Sequence, residues 1–153
     1  MTIKNEPRVA RRQDVPQALQ IGVALQAVCI LLPLLDGWIF GSVEQNVRSA
    51  YPSWGAGEIA ADRTAIIGYL VLVCLCCLLG WLAALRAVDH GWHERAVVTA
   101  LFAIGTVWAI VNAGLSGGAY SRVVPLWLGL TLLLVPLMPA LTALIAVWRK
   151  PQR

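Results

Sequence analysis

Four stretches without a single charged side chain divide the chain: residues 15–35, 64–85, 96–121 and 123–148. Each is long enough to cross a bilayer as a helix, because ~20 apolar residues rising ~1.5 Å apiece span a ~30 Å hydrocarbon core. The hydrophobic fraction of 59% and the mean hydropathy of +0.72 exceed what a soluble domain of this size can hide in its own interior. The sequence therefore predicts an all-α polytopic membrane protein, with four transmembrane helices in an antiparallel bundle at about 16–35, 58–86, 95–115 and 123–148. An outer loop over 36–57, containing a short interfacial helix, joins the first two.

With 153 residues, most of them intramembrane, there is room for one four-helix unit over 15–148 and no separate soluble domain. Residues 1–14 are polar, basic and without apolar periodicity, so a disordered tail is expected there, with a second short tail at 149–153. The net charge of +4 is arranged as a topology signal and not as a nucleic-acid footprint. Nine of the twelve basic residues (Lys4, Arg8, Arg11, Arg12, Arg86, Arg95, Arg149, Lys150 and Arg153) fall in the two tails and the second connection. Arg48, Arg63 and Arg122 fall in the first and third connections. The excess of positive charge marks the cytoplasmic side, so a multi-pass plasma-membrane protein with both termini cytoplasmic is expected. The first apolar stretch is too long for the h-region of a secretory signal and is followed by no A-x-A-like cleavage site, so it reads as a helix of the mature protein.

The side chains capable of chemistry are few. Cys29, Cys74, Cys76 and Cys77 all fall within predicted helices, where thiols pack as small apolar groups. A quinone-coupled thiol oxidoreductase would need a C-x-x-C or an outward-facing pair; the run 74–77 lacks that spacing and the outer loop has no Cys. The segment 89–94 holds Asp89, His90, His93 and Glu94, but two histidines fall short of the three or four ligands of a stable metal site. Both histidines lie outside the bundle, which leaves no axial ligand for haem beyond Met138. The interior of the helices carries no ionisable group of the kind a proton-coupled exporter needs. Gln26 and Asn112 are the intramembrane polar residues, and interhelical hydrogen bonding is the expected role of each. No catalytic, cofactor-binding or metal site is expected.

More recognition features lie in the outer loop. Val43, Val47 and Ala50 recur at helical spacing opposite Glu44, Asn46 and Arg48, which predicts an amphipathic interfacial helix anchored by Trp38, Tyr51 and Trp54. Gly55 then serves as N-cap of the second membrane helix, with Glu58 at the N3 position of a capping box. Trp38, Val43, Val47, Tyr51 and Trp54 are accordingly the candidate platform for a membrane-protein partner or for lipid. Small residues recur four apart on the second helix (Cys76, Gly80, Ala84) and on the third (Gly105, Ala109, Ala113), stripes suited to close backbone approach within the monomer or in a homo-oligomer. Pro136 and Pro139 are expected to kink the fourth helix.

Two segments carry a family resemblance. The stretch Val47-Arg48-Ser49-Ala50-Tyr51-Pro52-Ser53-Trp54, continuing through Gly57-Glu58-Ile59-Ala60, is similar to a "yP-G-L-S-x-x-E-L" helix start, and residues 84–106, ALRAVDHGWHERAVVTALFAIGT, to a "W-A-R-x-x-x-x-x-F-x-x-G-T" entry into a third helix. In these the chain resembles an uncharacterised family of small actinobacterial four-helix integral membrane proteins. It departs from the pattern at Gly55, where a capping Ser is expected, and at His93-Glu94-Arg95, where a more basic run is expected. The resemblance implies topology and source and brings no activity. From the residues, the expected function is a non-enzymatic accessory or interaction role in the membrane. The alternative is a small-molecule or lipid transporter using a cavity between the helices, which polar lining at Gln26, Thr106 and Asn112 would favour.

Overall fold

The computed structural model describes residues 6–149, with side chains from Asp14 onward. Hydrocarbon offers no water to an unmade backbone hydrogen bond, so charge-free stretches of this length close their bonds within themselves, as helices. The four that are long and apolar enough to cross a membrane are α1 (Glu6–Leu35), α3 (Ala56–Asp89), α4 (Glu94–Gly114) and α5 (Leu126–Trp148). A short fifth helix, α2 (Ser42–Ala50), occupies the first connection. One turn of π-helix, Asp36–Phe40, prolongs α1 and stops at Gly41, whose φ of 63° is cheap only for glycine.

The boundaries differ from the sequence reading in informative places. The helix α1 begins at Glu6, so the part of the expected disordered tail that lies within the described residues is helical, and Pro16 sits inside the helix. Residues 1–5 and 150–153 of the two expected tails lie outside the described residues. The helix α3 runs past Arg86 to Asp89, and the inner turn closes through Gly91 (φ 65°) and His93 (φ 40°). Here His90 Nδ1 lies 2.8 Å from the Arg86 carbonyl at the helix end. At the start of α3 the Gly55 N–H donates to Glu58 Oε2 at 2.7 Å. Glycine has no side chain to answer the N3 amide, so only half of the capping box exists. The helix α5 starts at Leu126 with Pro125 as its N-cap, and it runs continuously through Pro136 and Pro139.

Packing is unequal around the bundle. The helix α1 lies along both α3 and α5, and α4 lies on α5, whereas α3 and α4 touch far less although a short turn joins them. Close approach of α1 and α3 depends on Gly22, where an added Cβ would overlap the Trp81 ring. Pro33 has no N–H to offer the Cys29 carbonyl. The Cys74 thiol reaches that carbonyl at 3.7 Å, tying the two helices where the helical bond is missing. Two apolar cores result. The inner one joins all four spans through Leu19, Ala84, Val98, Ala143 and Val147. The outer one gathers Val43, Val47, Ile59, Leu70, Val124 and Leu128. At the end of the bundle that carries both termini the Trp148 indole N–H donates to Thr99 Oγ1 at 3.0 Å, and the Arg95 guanidinium lies 5.7 Å from its ring centroid.

Candidate functional site

Because α3 and α4 splay apart, the middle of the bundle between the two cores is not filled. A cavity of about 300 Å³ runs there between α3, α4 and α5, with α1 behind it. Both small-residue stripes face it: Cys76, Gly80 and Ala84 from α3 and Gly105, Ala109 and Ala113 from α4 line its walls. The stripes therefore do not pack on each other, as one sequence reading had it. A Cβ at Gly105 would meet nothing within 4 Å, and one at Gly80 would come no nearer than 3.8 Å, to Leu101. Cys76, Ile104 and Trp108 line the cavity and are also exposed on the flank of the bundle. The cavity is thus a cleft whose mouth opens sideways, between α3 and α4.

Its walls are almost entirely apolar, and the intramembrane polar residues singled out from sequence are both found in them. Gln26 is 2% exposed and donates from Nε2 to the Cys74 carbonyl at 3.2 Å, a bond from α1 to α3. That acceptor fixes the orientation of the amide. Its other end, Oε1, is buried and accepts no hydrogen bond among the described residues. Asn112, by contrast, is satisfied at both ends: Oδ1 accepts from the Tyr69 hydroxyl at 2.6 Å and Nδ2 donates to the Trp108 carbonyl at 2.8 Å. Thr106 lines the same cleft. Pro136, in the α5 wall, has no N–H for the carbonyl of Leu132, so that lining residue also loses its helical donor.

The candidate outer platform is built differently from what its pattern suggested. Val43 and Val47 are 0% exposed and form part of the outer core, so the apolar face of α2 is turned down onto α3 and the start of α5 and is not offered to a partner. Tyr51 and Trp54 stack at 3.9 Å between ring centroids. The Tyr51 hydroxyl accepts from the Ala119 N–H at 3.1 Å, which fastens the third connection to the first. Asn46 Nδ2 does the same by donating to the Arg122 carbonyl at 2.9 Å and that of Val123 at 3.1 Å. Of the five platform residues only Trp38 is fully exposed, at 91%, beside the exposed Ile39 and Phe40 of the π turn. The first and third connections form a lid on the bundle, with an exposed apolar rim at Trp38–Phe40.

Sequence reasoning missed what locks that lid. Asp36 reads as a helix-ending residue, yet it is 0% exposed, and its carboxylate accepts from the N–H of Ser42, the hydroxyl of Ser42 and the N–H of Val43, at 2.9 Å for the last. It thus caps α2 from six residues upstream. The indole N–H of Trp127 in turn donates to Ser42 Oγ at 3.0 Å, which carries the network into α5. The one available signal was the Asp36-Gly37…Gly41-Ser42 spacing, which only the π turn folds back on itself. Glu44 accepts from Arg48 and from Arg63 at 2.8 Å, and these bonds, Arg48's foremost, hold its carboxyl below the usual carboxylate range. Tyr120 donates to Asp62; its phenol is pushed well above the ordinary tyrosine value, by burial first and then by that carboxylate.

Compared with family models, with curated proteins and with solved structures, the chain has no match.

Proposed function

We propose that this polytopic protein is a non-enzymatic binder of a hydrophobic small molecule or lipid chain, which it takes sideways from the bilayer into the cleft between α3 and α4 as the first step of carrying or presenting it. The observation that carries the reading is the cleft itself: about 300 Å³ between three spans, with small residues where bulky ones would close it. That is at the lower end of the range of ligand cavities, and mostly apolar walls with a few polar groups are the composition such sites have. The accessory reading, which rested on a partner platform in the outer loop, keeps Trp38 but not Val43 and Val47, which are spent on the bundle's own core.

Placement in the plasma membrane with both termini in the cytoplasm belongs to the same proposal and rests on charge. The outer connections carry three basic and four acidic residues, whereas the inner segments carry nine basic and four acidic. In this orientation the lid faces outward and Arg95 with Trp148 sits at the inner surface.

The test is to extract the protein with its native lipids and compare what copurifies with the wild type and with Gly105→Leu, which places a side chain where glycine leaves open space. A lipid or apolar metabolite enriched over the bulk membrane in the wild type, and depleted in the variant, is the expected result. Identical profiles would remove the cleft from consideration.

A further inference from the structure

We propose that the cleft selects a neutral lipid with a single hydrocarbon chain that carries a hydroxyl, and that this hydroxyl donates its proton to Gln26 Oε1. The inference rests on the binding reading above and deepens it by naming the ligand's chemistry. Two independent observations meet in it. The first is the shape of the cleft. Val98 and Asn112, near its ends, are separated on α4 by a rise of about 21 Å, so the roughly 300 Å³ open to the centres of water-sized spheres is a channel about 7 Å wide once the ~1.4 Å radius of the sphere is added on each side. A helix with its side chains is ~10–12 Å across and does not enter such a space. One hydrocarbon chain does, which argues against a second copy of the bundle as occupant.

The second observation is the orphaned amide oxygen. A buried acceptor without a donor carries a desolvation cost, which a donor from a water, an ion or a ligand relieves. Gln26 Nε2 is committed to Cys74, so the group left over is an acceptor only; it is covered in this structure, and an O–H or N–H in the cleft meets it once the Gln26 side chain, which lines the wall, shifts toward the ligand.

Depth decides the rest. Gln26 lies about 14 Å below the outer end of α1 by helical rise, too deep for a phosphate headgroup to follow at tolerable cost. The polar part of the ligand is therefore small and uncharged. A long-chain alcohol and an un-ionised fatty acid share this chemistry.

The experiment uses the full chain in phosphatidylcholine nanodiscs with tritiated 1-hexadecanol as probe, and unlabelled 1-hexadecanol, palmitic acid or hexadecane as competitor. In the wild type the alcohol should compete at least tenfold better than hexadecane; palmitic acid outcompeting the alcohol would name the acid as the physiological form. In Gln26→Leu the alcohol should fall to within twofold of hexadecane while hexadecane itself stays unchanged, and in Gly105→Leu saturable retention should vanish. Equal competition by alcohol and hexadecane in the wild type overturns the hydroxyl inference and leaves the cleft reading standing; this comparison does not depend on any variant folding. No saturable retention, or retention undiminished in Gly105→Leu, overturns the cleft reading itself. So does self-association of the wild type that Gly105→Leu abolishes, since a second copy would then be the occupant.

Discussion

The outer lid and the central cleft are made of the same small vocabulary, a few polar residues among Val, Leu, Ala and Gly, and end in opposite states. In the lid the polar groups described find partners across sequence gaps: Asp36 receives three donors, Asn46 reaches two carbonyls, Tyr51 ties the two connections together and Tyr120 ties the third connection to α3. In the cleft, Gln26 spends one end on the neighbouring helix and leaves the other unmet, and glycines stand where side chains would close the gap. The lid borders water, where burial of Val43 and Val47 is driven by the hydrophobic effect. The cleft borders lipid tails, which are as apolar as its walls, so nothing drives α3 onto α4 unless side chains fit. Structure is completed at one and left open at the other, and the open one is where binding is expected.

The contrast can be broken most forcefully at the lid. Val43→Ala together with Val47→Ala should lower stability by roughly 4 kcal/mol, since each change removes two fully buried methyl groups and leaves a cavity. Unfolding in mixed micelles of increasing denaturing detergent would measure it; a loss below about 1 kcal/mol would mean the lid is not part of the cooperative fold. Asp36→Ala should cost about 1–3 kcal/mol in the same assay, because it strands the buried N–H of Val43 and that of Ser42. Retention of full stability would show that water reaches the π turn and replaces the carboxylate. The smallest effect sharpens the comparison: Gly105→Leu should not lower stability and should raise it by up to about 0.8 kcal/mol, since its side chain meets open space and a leucine is the better helix former. A large loss there would mean that the cleft is closed in the bilayer.

Much of the fold is legible along the chain. The positions of the four spans and of the short outer helix follow from where charges stop and start, because the cost of carrying charge or unpaired backbone into hydrocarbon is levied residue by residue. Gln26 and Asn112 stand out for the same reason, and both are found bonded to neighbouring helices. The alternation of Val43, Val47 and Ala50 identified an amphipathic helix but not what its apolar face meets, since the periodicity is the same whether that face turns to a partner, to lipid or to the bundle.

What the sequence by itself determined is therefore local: span lengths, the asymmetry of charge between their ends, the positions of small and polar residues on each helix. The tertiary structure alone decided how each helix is rotated about its axis and which neighbour it prefers. That choice put α1 between α3 and α5, held α3 off α4, turned two small-residue stripes toward a gap and not toward each other, and brought Gln26 to Cys74 across 48 positions of sequence. It also folded Asp36 back onto Ser42 and Val43, so that a residue read as the end of one helix became the cap of the next. The physical reason is that rotation and pairing depend on the sum of many weak contacts between residues far apart in the chain, each worth little alone and none visible in a window of neighbouring positions.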